Sequence, residues 1–150
     1  MSKAFVNEDL IVGESEHLPQ RPSEPLPITP RGQRVLRAQL DALRDKGARG
    51  TRPERVLMHI LDTVVVRAPA RQARGAGFGC VVDVQRADGT VHSHHIVGPD
   101  EASPREGLIS VTSPLARALL GHGEGETVLV EKPQGDEQLT ILAVHVPNDS

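Results

Sequence analysis

Apolar positions along the chain follow three different rhythms in turn. Residues 1–27 show almost no periodicity; they carry Pro19, Pro22, Pro25 and Pro27 among scattered acids, which predicts an extended, mobile arm. Phe5, Val6, Leu10, Ile11 and Val12 can stick to a surface there but predict no element. From residue 28 the rhythm becomes helical. Thr29 and Pro30 form a helix start, and Leu36, Leu40 and Leu43 recur on one side with Val35 beside them, while Arg31, Arg34, Arg37 and Arg44 fall mostly on the other. After the glycine- and charge-rich turn RDKGARGTRPE, Thr51 and Glu54 read as a capping box for a second helix with Val56, Leu57, Ile60, Leu61 and Val64 as its stripe. Residues 28–66 are therefore expected to form a short antiparallel helical hairpin, its first helix about 23 Å long.

Beyond the basic loop RAPARQARGAG the rhythm shortens to two. Cys80, Val82 and Val84 share one strand face, an Asp88-Gly89 turn follows, and His92, His94 and Ile96 share a face of the next strand. LISV (108–111), TVLVE (127–131) and QLTILAVHV (138–146) predict three more strands. Between the first two of these, Ser113, Pro114 and Gly121 bracket one short helix. Its Leu115, Ala118 and Leu119 are expected to pack on the sheet, flanked by Ala116 and Leu120, whereas Pro114 and Arg117 point the other way. The expected fold class is α+β: arm 1–27, hairpin 28–66, and an antiparallel sheet domain with one short helix over 67–150.

Composition narrows the chemistry. The 150 residues are 37% hydrophobic and 25% charged, with two Phe and no Tyr or Trp, so the core is aliphatic. A formal net charge of −3 gives no global reason to bind nucleic acid. One cysteine, Cys80, excludes an internal disulfide and a cysteine zinc cluster; on its apolar face it reads as a packed thiol. No apolar run is long enough to span a bilayer and MSKAFVNEDL lacks a signal-peptide core, so no membrane is expected and the cytoplasm is. His92, His94 and His95 invite a metal reading, since alternate strand residues share a face, but no third ligand type is near in sequence and half-buried strand histidines are expected instead. No phosphate loop, nucleophile elbow or paired-carboxylate site is visible.

The run IVGPDEASPREGLISVTSPLARALLGHGEGETVLVEKPQGDEQLTIL resembles the C-terminal domain of the bacterial GreA/GreB transcription elongation factors, in the order and spacing of "IVGPDEA", "ISVTSPLARALLG", the "GE" before a strand and the "P.G" before the last one. FGCVVDV and DGTVHSHHIVG fit that domain's opening strands, so the resemblance covers residues 76–146. It implies an FKBP-like domain that binds RNA polymerase at the rim of the secondary channel. The implied contact residues are Val111, Thr112, Ser113, Pro114 and Arg117, together with Asp100 and Glu101 of the acidic loop. The resemblance implies a binding factor rather than an enzyme, with no cofactor and no small-molecule substrate.

The first half resembles the family only at the two ends of its hairpin, in ITPRGQRVLRAQLDAL and RVLMHILDTVVV. Family members that stimulate transcript cleavage carry a G-D-L-x-E-N-x-E-Y type tip whose acidic pair holds magnesium, and this segment is missing here. The tip instead sets Arg44, Lys46, Arg49, Arg52 and Arg55 against Asp45 and Glu54, five basic residues to two acidic. Magnesium needs convergent oxygens, which a basic turn repels. The stubby hairpin is similar to that of the regulator of nucleoside diphosphate kinase. A polymerase-binding regulator without cleavage activity is therefore expected. Three alternatives are an active cleavage factor, an FKBP-like peptidyl-prolyl isomerase and a free-standing nucleic-acid binder. The basic tip, centred on Arg44, Lys46, Arg49 and Arg52, is either a solvated loop or a contact to the polymerase channel or nucleic acid.

Overall fold

The computed structural model describes residues 18, 20–72 and 75–147. The apolar candidates Phe5 to Val12 and Pro19 lie outside the described residues.

Two helices follow the predicted stripes. Helix α1 (Pro30–Asp45) starts at Thr29, whose side chain accepts the Gly32 N–H at 3.0 Å, with Pro30 in the first turn where no N–H is needed. Helix α2 (Arg52–Asp62) runs back against it. Leu36 and Leu40 meet Val56, Leu57 and Ile60, and Ile28 seals the open end, with Leu18, Leu43, Leu61 and Val64 around the edge. Full burial of such a side chain contributes about 1.5–3 kcal/mol.

The hairpin base differs from expectation. Leu26–Ile28 is a strand, β1, pairing in parallel with a second short strand, β2 (Val64–Val66). Val64 therefore ends no helix stripe. Three successive β-branched side chains are stiff in a helix and suit a pleated ribbon. The capping box also departs from its predicted form. The Thr51 side chain makes no cap bond; its hydroxyl donates to Ala48 O at 2.5 Å. Glu54 reaches past it to accept the Gly50 N–H at 2.8 Å.

The second half is a five-stranded sheet in the order β5-β4-β3-β7-β6, built from β3 (Val81–Arg86), β4 (Val91–Val97), β5 (Leu108–Ser110), β6 (Thr127–Val130) and β7 (Glu137–His145). It is antiparallel except that β4 and β5 run in parallel. The link between these two carries single 3-10 turns at Pro99–Glu101 and Pro104–Glu106, which bring the chain back alongside β4. A bulge between β3 and β7 at Asp83/Val84 leaves Leu142 unpaired and 44% exposed, and shifts the inward phase so that Val144 returns to the core. Helix α3 (Pro114–Leu119) covers the inner face; its Ala116 and Leu119 are fully buried with Cys80, Val82, Val84, Ile96 and Ile141. The architecture is α+β.

The two cores meet at a polar joint. Glu101 accepts from Thr29 N at 2.7 Å, from the Thr29 hydroxyl and from Gly98 N at 3.0 Å. Arg21 grips Asp100 with both terminal nitrogens, one of them at 2.7 Å from Oδ2, and donates from Nε to Thr63 Oγ1 at 2.8 Å. Both side chains of the Arg21–Asp100 pair are only 10% exposed. Thus Arg21 and residues 26–27, at the end of the arm read from the sequence, are tied into the fold, through partners too far along the chain for local pattern to reveal.

Candidate functional site

The turn that leads into α3 is built by local bonds. Val111 N–H donates to Val97 O at 2.8 Å, which anchors the turn to β4. Ser113 N–H donates to Ser110 O at 2.9 Å, and Ser110 Oγ accepts from Thr112 N at 3.2 Å. Ser113 Oγ then accepts the Ala116 N–H at 3.2 Å and caps the helix. Val111 and Ser113 are half-buried, while Thr112, Pro114 and Arg117 are exposed. Proline has no side-chain freedom to lose, so this apolar point can meet a partner at little entropic cost.

The acidic loop is used differently. Asp100 and Glu101 bond to Arg21, Thr29 and Gly98, so their carboxylates serve the joint between the two cores. That occupation withdraws Asp100 from the free contact set the resemblance implied. The signal lay in Arg21, whose partner is 79 positions away.

The hairpin tip also has an internal use for its charge. Arg44 Nε donates to Glu54 Oε2 at 2.7 Å. This hydrogen bond, then the one from Gly50 N–H, holds the Glu54 carboxyl below its usual range. Lys46 and Arg49 are exposed at the turn. Glu54 is 7% exposed, so one of the tip's two acids is spent on closing the hairpin. Among the described residues no cluster of three His, Cys, Asp or Glu is placed to hold a metal. Glu54→Ala is expected to lower the unfolding midpoint clearly more than Asp45→Ala at the exposed neighbouring acid, read by circular dichroism on heating.

The strand histidines divide. His95 Nε2 donates to Gly79 O at 2.9 Å. His94 stacks on His92 at 6.4 Å between ring centroids, and its Nδ1 is buried with no partner among the described residues. Burial lowers the basicity of both rings; His92 and Lys132 add to this at His94, against Glu137, and the Gly79 carbonyl and Glu101 oppose it at His95. The unfolded chain then binds protons more readily than the folded one. Stability should fall as pH drops below about 6.5, the ordinary histidine value. A His94→Gln/His95→Gln double variant should flatten that part of the profile, measured as urea midpoint against pH. Elsewhere, Phe78 is 9% exposed with Arg67 5.4 Å above its ring; Phe5 lies outside the described residues.

A family model described as transcription elongation factor, GreA/GreB, C-term, matches residues 71–146, half of the chain. Transcription elongation factor GreA of Pseudomonas aeruginosa is 49% identical over 69 residues, covering 45% of this chain and 43% of that protein. GreA of Alkalilimnicola ehrlichii is 40% identical over 86 residues, 57% of this chain and 52% of that protein. The chain thus spans about half the length of the curated relatives it matches, or less. Among solved structures, GreA factor homolog 1 of Thermus thermophilus aligns over 81% of this chain and 99% of its own, with 24% identity and a TM-score of 0.43. The matched region takes in every strand of the sheet domain, the turn that leads into α3 and helix α3 itself, and on that ground the chain belongs to the GreA/GreB transcription elongation factor family.

Proposed function

We propose that this chain is a regulator that binds bacterial RNA polymerase at the rim of the secondary channel through Val111, Thr112, Ser113, Pro114 and Arg117, and that it does not stimulate transcript cleavage. Family membership and the hydrogen-bonded turn that exposes Pro114 and Arg117 support the docking half.

One observation carries the second half: the hairpin is short and its tip is closed by an Arg44–Glu54 pair. Helices of 16 and 11 residues extend only about 24 and 16 Å at 1.5 Å per residue. Asp45 is then the one tip carboxylate not engaged by Arg44, and it sits among cations. A hard divalent ion needs several converging oxygens, and a single carboxylate beside arginines offers little. Bound at the rim, such a chain would occupy the site without delivering a metal, and the basic tip would face the channel entrance. Two assays test this. The purified chain should co-migrate with core polymerase and compete with a cleavage-stimulating factor for it. Added to arrested elongation complexes, it should leave transcript length unchanged; shortened transcripts would overturn the non-cleaving assignment.

A further inference from the structure

Charge is divided unevenly along this chain. Residues 67–150 carry eleven acids to seven basic side chains, whereas the two helices and their turn, residues 30–62, carry eight basic side chains to four acids. The basic excess is greatest at the hairpin tip. Lys46, Arg49 and Arg55 are exposed there, and Glu54 already serves Arg44. An apolar side chain stands beside that pair: Met58 is 40% exposed, with its Sδ 3.4 Å from Arg44 Nη2. Residues 1–17, which lie outside the described residues, have the opposite charge. They hold Glu8, Asp9, Glu14 and Glu16 against Lys3, with Leu10, Ile11 and Val12 following the first acidic pair. The described chain takes up at Leu18, which packs at the edge of the hairpin core, and Arg21 bonds to Thr63 at the hairpin base.

We propose that residues 5–16 fold back along their own hairpin, with Leu10, Ile11 and Val12 on Met58 and with Glu8 and Asp9 over the basic tip, so that the chain masks this tip itself. Charge selects the surface: an acidic segment is drawn to the hairpin and repelled by the acidic sheet domain. Attachment at Leu18 places it beside that surface from the start. Reach is sufficient, since the ten residues from Glu8 to Leu18 span up to about 33 Å and α1 is about 24 Å long. The order of side chains also fits. The apolar triplet adjoins the acidic pair in the segment, and Met58 lies one helical turn beyond Glu54 at the tip. Exposed ion pairs are individually weak and are screened by salt, so the contact is reversible and another anion can displace it. The inference does not rest on the docking reading above, because both partners belong to this chain.

Two measurements on the full chain test it. In the first, Asn7→Cys carries a nitroxide label, while the native thiol of Cys80 is fully buried and stays unlabelled. Amide NMR should show signal loss at Lys46, Arg49 and Met58 but not in β6, and added salt should restore the signals. No loss, or loss centred on the sheet domain, would overturn the proposal. So would loss that appears only when labelled protein is mixed with unlabelled, isotope-enriched protein, because the segment would then be reaching a second copy. In the second, tripolyphosphate is titrated at low salt and followed at the Lys46 and Arg49 amides. A Glu8→Gln/Asp9→Asn variant should bind it about threefold more tightly than wild type, because its tip is unmasked. Equal affinity in the two proteins would overturn the masking.

Discussion

Gly98→Ala should cost about 3 kcal/mol of stability, at the upper end of the usual cost of overpacking, and should loosen the hairpin from the sheet domain. A Cβ at this position would collide with the carbonyl oxygen of Pro27, a backbone atom of β1 that cannot swing aside. It would also press on Glu101 Oε2 at 3.2 Å, the oxygen that accepts from Thr29 N and Gly98 N. Relief therefore requires β1 to move, which strains the Arg67 N–H bond to Ile28 O. Gly47→Ala is the matched control: its φ is +80° and the substituent would meet open space, so it carries the cost of a left-handed backbone without a clash, about 1 kcal/mol. Denaturant unfolding separates the two. A Gly98→Ala protein no less stable than Gly47→Ala would show that β1 does not lie against the sheet domain as described.

The second large effect concerns docking. Pro114→Asn should weaken binding to core polymerase by about tenfold or more while leaving the unfolding midpoint within a narrow range of wild type. The reasoning is that Pro114 is exposed, whereas Ala116 and Leu119 are buried in the sheet core and hold the helix to it. Ser113→Ala supplies the contrast. It removes the Ala116 cap and should cost about 1 kcal/mol of stability. If Pro114→Asn binds as well as wild type, the docking surface lies elsewhere on the domain.

Much of this fold is written in the local pattern. The leucine spacing of α1, the alternation through Val82 and Val84, and the Ser113–Pro114 helix start each predict the element found. Those features are local, set by side-chain period and capping chemistry. What the pattern hides is long-range or too short to have a period. Strands β1 and β2 have three residues each, which a two-residue alternation cannot identify. The parallel β4–β5 pairing depends on the path of the intervening 3-10 turns. Asp100 stands among the contact residues that the resemblance implies, and local sequence gives no sign of its partner in the structure, Arg21. Glu54 likewise looked like a capping-box acid, and its bond to Arg44 requires the hairpin to have closed. The family resemblance singled out the turn into α3, and the hydrogen bonds of that turn explain why its proline is exposed.

The joint and the turn into α3 share a strand end: Val97 O accepts the Val111 N–H, and Gly98, the next residue, lies against β1. Under the docking proposed above, grip and aim are set within two consecutive residues of one strand. Substitutions around positions 98–101 would alter how the short arm is set against the sheet domain. Relatives carrying the same sheet domain could in this way steer different arms from one common mounting.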